Sequence, residues 1–101
     1  MKKLPTCTLI ASTYNWPEAL ELLLLSIKNQ KVLPNEVIIA DDGSREETKQ
    51  LITHFQKKFP IPLIHIWQED KGFLLATIRN KAIAAANYNY IIQIDGDIIM
   101  N

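Results

Sequence analysis

Cysteine is almost absent from this chain: Cys7 stands alone among 101 residues. That excludes a disulfide framework and a cysteine-rich zinc site, and it fits a reducing cytoplasm. Its apolar neighbours make Cys7 read as a small core residue. Net charge is absent as well, with Lys plus Arg 11 and Asp plus Glu 11. Phosphate-backbone binders are usually strongly basic, so no nucleic-acid partner is expected. Long apolar runs are missing. The longest, Leu20 to Ile27, is broken by Glu21 and Ser26 and falls far short of the ~20 residues of a membrane span. No apolar signal core follows Lys2 and Lys3, which makes a cytoplasmic location the expectation. There is no internal repeat, low-complexity segment, linker, Walker-type glycine loop or serine in a nucleophile elbow.

What is present suits a soluble globular domain. The chain is 48% hydrophobic and 22% charged, and its length suffices for one compact domain but not two. Strand and helix patterns alternate four times. Thr8 to Ser12 is a short β-favouring run, and Pro17 suits the first turn of a helix. Leu20, Leu23, Leu24 and Ile27 recur at helical spacing until Pro34 and Asn35. Glu36 to Ala40 is a near-continuously apolar second strand, as in parallel sheets covered on both faces.

Ser44 and Glu47 form a capping-box pattern ahead of Leu51, Ile52, Phe55 and Phe59, and Pro60 and Pro62 close that helix. Ile61 to Trp67 reads as strand three. After a turn at Lys71-Gly72, a helix is expected from about Leu74 to Ala86, its inner face Leu75, Ile78, Ala82, Ala85 and Ala86. Asn87 to Asn89 can end it through the left-handed conformation. Tyr90 to Ile94 is strand four. The expected fold is α/β, three layers α/β/α around a mainly parallel sheet of about four strands, with right-handed crossovers.

Ligands bind such sheets outside the carboxyl ends of the strands. The polar clusters fall there: Thr13-Tyr14-Asn15, Asp41-Asp42-Gly43-Ser44, Glu69-Asp70-Lys71-Gly72 and Asp95-Gly96-Asp97. Asp95 and Asp97 offer hard oxygen ligands for a divalent cation, one carboxylate binding the cation and the other holding a sugar hydroxyl. A metal-bridged diphosphate is a good leaving group, because the cation neutralises charge that develops as the bond breaks. Taken alone, the triplet reads more simply as a solvated acidic turn; its place after an apolar strand, aligned with three other polar strand ends, favours the ligand role.

Asp41 and Asp42 are adjacent carboxylates that repel at the site mouth, and either can accept from a nucleobase N–H or a ribose hydroxyl. Ser44 is the helix cap on this reading. Thr13, Tyr14 and Asn15 supply backbone groups and an aromatic face; the alternative is Asn15 as a helix cap and Tyr14 as packing. Arg79, a turn beyond the third loop, is either a solvated helix residue or a phosphate contact, and Lys71 is equally ambiguous. His54 and His65 show no partner in the sequence, and Trp16 and Trp67 read as packing.

Assembled in this order, these pieces resemble the N-terminal, nucleotide-sugar-binding half of an inverting family-two glycosyltransferase with the GT-A (Rossmann-like) fold. The resemblance rests on Ser12-Thr13-Tyr14-Asn15 after the first strand, then Glu36 to Ser44, then Gly72 leading to Ile78 through Ala82, then Ile94-Asp95-Gly96-Asp97. It runs over essentially the whole chain, here taken as a single domain, residues 1–101. Glu69 to Phe73 followed by Ile78-Arg79-Asn80 resembles the branch that includes bacterial chondroitin-type polymerases.

The resemblance implies that Thr13, Tyr14 and Asp42 contact base and ribose, that Asp95 meets the ribose or donor sugar, and that Arg79 is carried over with them. Asp97 would hold Mn²⁺ or Mg²⁺ against the diphosphate of a nucleotide-sugar donor, a UDP-sugar by resemblance. The acceptor would be a glycan or a lipid-linked glycan. Relatives of this kind continue well past the acidic triplet, and inversion needs a base that deprotonates the acceptor. No residue here is assignable to that base, so the 101 residues by themselves are expected to bind nucleotide without turnover.

The parent's association with the inner face of a membrane stays open. The alternative is a nucleotide- or metal-binding module that pairs with another chain or a second copy, since an uncovered strand edge invites pairing. A receiver domain does not fit, because the acid pair it needs after strand one is replaced by Thr13-Tyr14-Asn15.

Overall fold

The computed structural model describes residues 6–69 and 75–95. Its elements run β1 (Cys7–Thr13), α1 (Pro17–Lys28), β2 (Glu36–Asp41), α2 (Glu46–Gln56), β3 (Leu63–Trp67), α3 (Leu75–Ala85) and β4 (Tyr90–Asp95). The four strands form one sheet in the order β3-β2-β1-β4, all parallel. This meets the expected architecture element for element. Strand order reverses between β1 and β4, so the open end above β1 is the place where such sheets hold ligands.

Strand alternation divides the core in two. Leu9, Ala11, Val37, Ile39 and Leu63 face α1 and α2, whose Leu20, Leu23, Leu24, Ile27, Ile52 and Phe55 complete that layer. Ile10, Ile38 and Ala40 face α3, where Ile78 and Ala82 are buried against them. Small alanines let α3 lie close to the sheet. Every residue of β2 is buried: Val37 to Ala40 are apolar, as in a strand covered on both faces, and the terminal Glu36 and Asp41 are buried with hydrogen-bond partners.

Local details depart from the sequence pattern for physical reasons. α1 begins with Pro17 at its first turn and carries Glu18 early and Lys28 late, both favourable to the helix dipole. It ends at Lys28, ahead of Pro34. The Ser44–Glu47 capping box does not form. Arg45 occupies the N-cap of α2 and has no side-chain acceptor to cap it, while the Ser44 hydroxyl, one residue earlier, accepts from Asn15 N–H. Asn15 is likewise not the cap of α1, a position taken by Trp16. β3 starts at Leu63 instead of Ile61, since Pro62 has no N–H to give the ladder. Cys7 is half-buried rather than core, and Trp16 and Trp67 are 54% and 52% exposed rather than packed.

Asn87 ends α3 without the left-handed backbone, which among the described non-glycine residues occurs at Asn15 alone. Its amide N–H and its side-chain Nδ2 instead donate to the Glu36 carboxylate, at 2.8 and 2.9 Å. Thr8 Oγ1 donates to the same carboxylate at 2.7 Å. Burial alone would push Glu36 up, but these three donors favour its charged form and hold it below the usual carboxylate range. Glu36 thereby ties β1, β2 and the α3–β4 connection together at the end of the sheet opposite the polar loops.

Candidate functional site

Thr13 and Asp41, paired in register at the ends of β1 and β2, mark where the sheet gives way to loops. The Asp42 N–H donates to the Thr13 carbonyl at 3.2 Å, which extends the ladder one step. Side-chain alternation then sends the two adjacent carboxylates to opposite faces. Asp41 accepts from His65 Nε2 at 2.8 Å on the α2 side, while Asp42 Oδ1 accepts from Gln68 Nε2 at 2.6 Å on the α3 side. The repulsion expected from their adjacency is relieved because they do not share a face.

A clasp joins the first two loops. Asn15 donates its backbone N–H to Ser44 Oγ at 2.8 Å, and its Oδ1 accepts the Arg45 N–H at 2.8 Å. Asn15 reaches both partners from the left-handed region, φ 46°, which asparagine tolerates better than most residues. Gly43, at φ 93°, sits where a side chain would be strained, and it lets the chain fold back so that Ser44 N–H meets Asp41 Oδ1 at 2.8 Å. The third loop is drawn in by Trp67 Nε1, which donates to the Ser44 carbonyl at 3.1 Å, and by Gln68 N–H, which donates to the Asp41 carbonyl at 3.1 Å.

The three strand ends therefore form one hydrogen-bonded platform. Asp41 is fully buried and its two oxygens meet Ser44 and His65; Asp42 is buried beside Gln68. Thr13 is buried, Tyr14 is 46% exposed on the rim, and Arg79 is half-buried on α3. Asp95 closes β4 in register with Ser12. Asp97, Gly96, Asp70, Lys71 and Gly72 lie outside the described residues. Among the described residues, no group of three or more His, Cys, Asp or Glu side chains is placed to hold a metal.

His65 and Gln68 escaped the sequence reading. The signal was available in period two: a buried pair of neighbouring aspartates needs a separate partner on each face, and β3 with the residue after it offers an odd-numbered His65 and an even-numbered Gln68.

Residues 8–101 match the family Glycosyl transferase family 2. The chain belongs to glycosyl transferase family 2. It is 35% identical to the chondroitin synthase of Escherichia coli, over 93% of this chain and 14% of that protein. It is also 35% identical to the hyaluronan synthase of Pasteurella multocida, over 93% of this chain and 10% of that one. The chain thus spans a small part of the relatives it matches. Among solved structures, S. aureus TarS 1-349 in complex with UDP aligns with a TM-score of 0.71 at 25% identity, over 91% of this chain and 27% of that one. The four-stranded parallel sheet of this family 2 chain is GT-A-like. Among the described residues, no helix is long and apolar enough to cross a membrane.

Proposed function

We propose that this chain is the donor-binding part of an inverting glycosyltransferase, taking a nucleotide-diphospho-sugar, most simply a UDP-sugar, for transfer to a glycan or lipid-linked acceptor in the cytoplasm. The observation that carries this reading is the platform of three clasped strand ends, with Asp42 and Gln68 on its α3 side. The relatives' names support a polysaccharide product, and the UDP complex of the aligned TarS fragment supports the nucleotide.

In this reading Asp42 accepts from the base or ribose, and Thr13, Tyr14 and Asn15 form the adjoining wall. Asp41 acts at one remove: buried and doubly bonded, it sets Ser44 and hence Asn15. Arg79 reaches toward the phosphates from α3. Asp95, with Asp97 two residues on, supplies hard oxygens suited to Mn²⁺ or Mg²⁺. The cation, when bound, would neutralise charge on the departing diphosphate. The base that activates the acceptor is not assigned to any residue of this chain.

A second reading, a binding module that pairs with another copy, draws on exposed Tyr90 and Ile92 along β4. Light scattering over a wide concentration range tests it, and a constant monomer mass would reject it. Calorimetry with UDP tests the first reading. Binding should strengthen at least tenfold with Mn²⁺, and Asp97→Ala should abolish that gain; an equal gain in the variant removes the role given to Asp97.

A further inference from the structure

On the α2 side of β3, away from the Asp42–Gln68 pair, lies an open groove of about 380 Å³ lined by Ser44, Arg45, Glu46, Lys49, His65 and Trp67. We infer that this groove is a second ligand site that takes an anionic saccharide, a pyranose ring bearing a carboxylate or a phosphate. Its volume is at the low end of the ~300–1,000 Å³ of small-molecule sites, which suits one sugar ring better than a whole nucleotide-sugar.

The walls are fixed before any ligand arrives. Trp67 is held through Nε1 by the Ser44 carbonyl, yet half of its surface remains in water. A pinned, half-exposed indole offers a flat apolar face, and the C–H face of a pyranose is its natural complement. His65 is anchored through Nε2 to the buried Asp41 carboxylate, leaving Nδ1 as its remaining polar atom. The backbone of Arg45 is tied to Asn15.

Charge decides the class of sugar. Arg45 and Lys49 are both exposed at the groove, and neither has an ion-pair partner among the described residues. Glu46 is the one carboxylate in the lining, against two cations. Guanidinium and ammonium groups beside an aromatic face recognise a carboxylate or phosphate carried on a ring. The choice of a saccharide over another anion rests on the donor-site reading, since a sugar-transferring protein meets sugars next to its donor.

The test uses the ¹⁵N-labelled chain and follows the indole Nε1–H resonance of Trp67, with that of Trp16 as an internal comparison. Glucuronate and glucose 6-phosphate are titrated in parallel, with glucose as the neutral arm. A saturable Trp67 shift with one or both anionic sugars is expected, the responding sugar identifying the anion, and glucose should bind at least tenfold more weakly. Lys49→Glu and Arg45→Ala, each checked for an unchanged amide spectrum, should each weaken binding at least fivefold. Lys49→Ala replaces the charge reversal if that variant loses its fold. Absence of any shift, an equal response to glucose, or wild-type affinity in the variants overturns the inference. UDP titrated into the same samples reads the donor site separately. Its affinity should be unchanged by Lys49→Glu, and a failure to bind UDP in the wild type would count against the donor reading while leaving the groove result to stand on its own.

Discussion

Glu36 and Asp41 are buried carboxylates at opposite ends of β2, and each is kept by the donors around it. A charge taken out of water is costly unless hydrogen bonds replace its hydration. Glu36 has three such donors, two from Asn87 and one from Thr8. Glu36→Gln should therefore lower stability by about 1–3 kcal/mol at neutral pH, measured by urea denaturation. Because the folded-state pKa of Glu36 is depressed, its contribution is fully present above the ordinary carboxylate value and is lost as pH falls through the depressed one. The gap between wild type and variant should accordingly narrow in acid; a gap that widens there would contradict the assignment. Gly43 is the other sensitive position. At φ 93° any β-carbon is strained, so Gly43→Ala should cost about 1 kcal/mol or more and loosen the Ser44 turn.

Among the elements, α3 is the most informative, since it closes the second face of the sheet with few large side chains. Ile78 and Ala82 pack on Ile10, Ile38 and Ala40. Ile38→Ala should destabilise by about 2–5 kcal/mol, whereas Tyr90→Ala, on an exposed residue, should stay within about 0.5 kcal/mol in thermal or urea unfolding. Equal effects would contradict the two-layer core. The elements themselves were legible because apolar periodicity follows burial, and Leu20, Leu23, Leu24 and Ile27 are all buried as their spacing implies. Caps were less legible. Ser44 and Asn15 have the chemistry of helix caps, but a serine or asparagine at a strand end can bond across to the next loop as readily as to its own helix. Here each bonds the other's loop. His65 was missed for the same reason: its partner Asp41 is adjacent in the sheet and remote in sequence.

At the scale of the whole molecule, function divides between the two ends of the sheet. The Glu36 end is a structural anchor, and the opposite end gathers Thr13, Asp41, Asp42 and Gln68, the groups on which the donor reading rests. The convergence of the polar loops at one end of the sheet was legible because parallel sheets place them at strand ends. Its internal wiring was not, since it depends on which side chain each face of a strand receives. The family places this chain among sugar-transferring proteins, and the donor reading makes a spatial claim about one end of one sheet.

Amide chemical-shift mapping on addition of UDP with Mn²⁺ tests that claim most directly. The largest shifts should fall on Thr13 to Asn15, Asp42, Gly43, Gln68 and Glu69, and Asp42→Asn should weaken UDP binding at least tenfold. Shifts confined to the Glu36 end, or no response to UDP at all, would contradict the account.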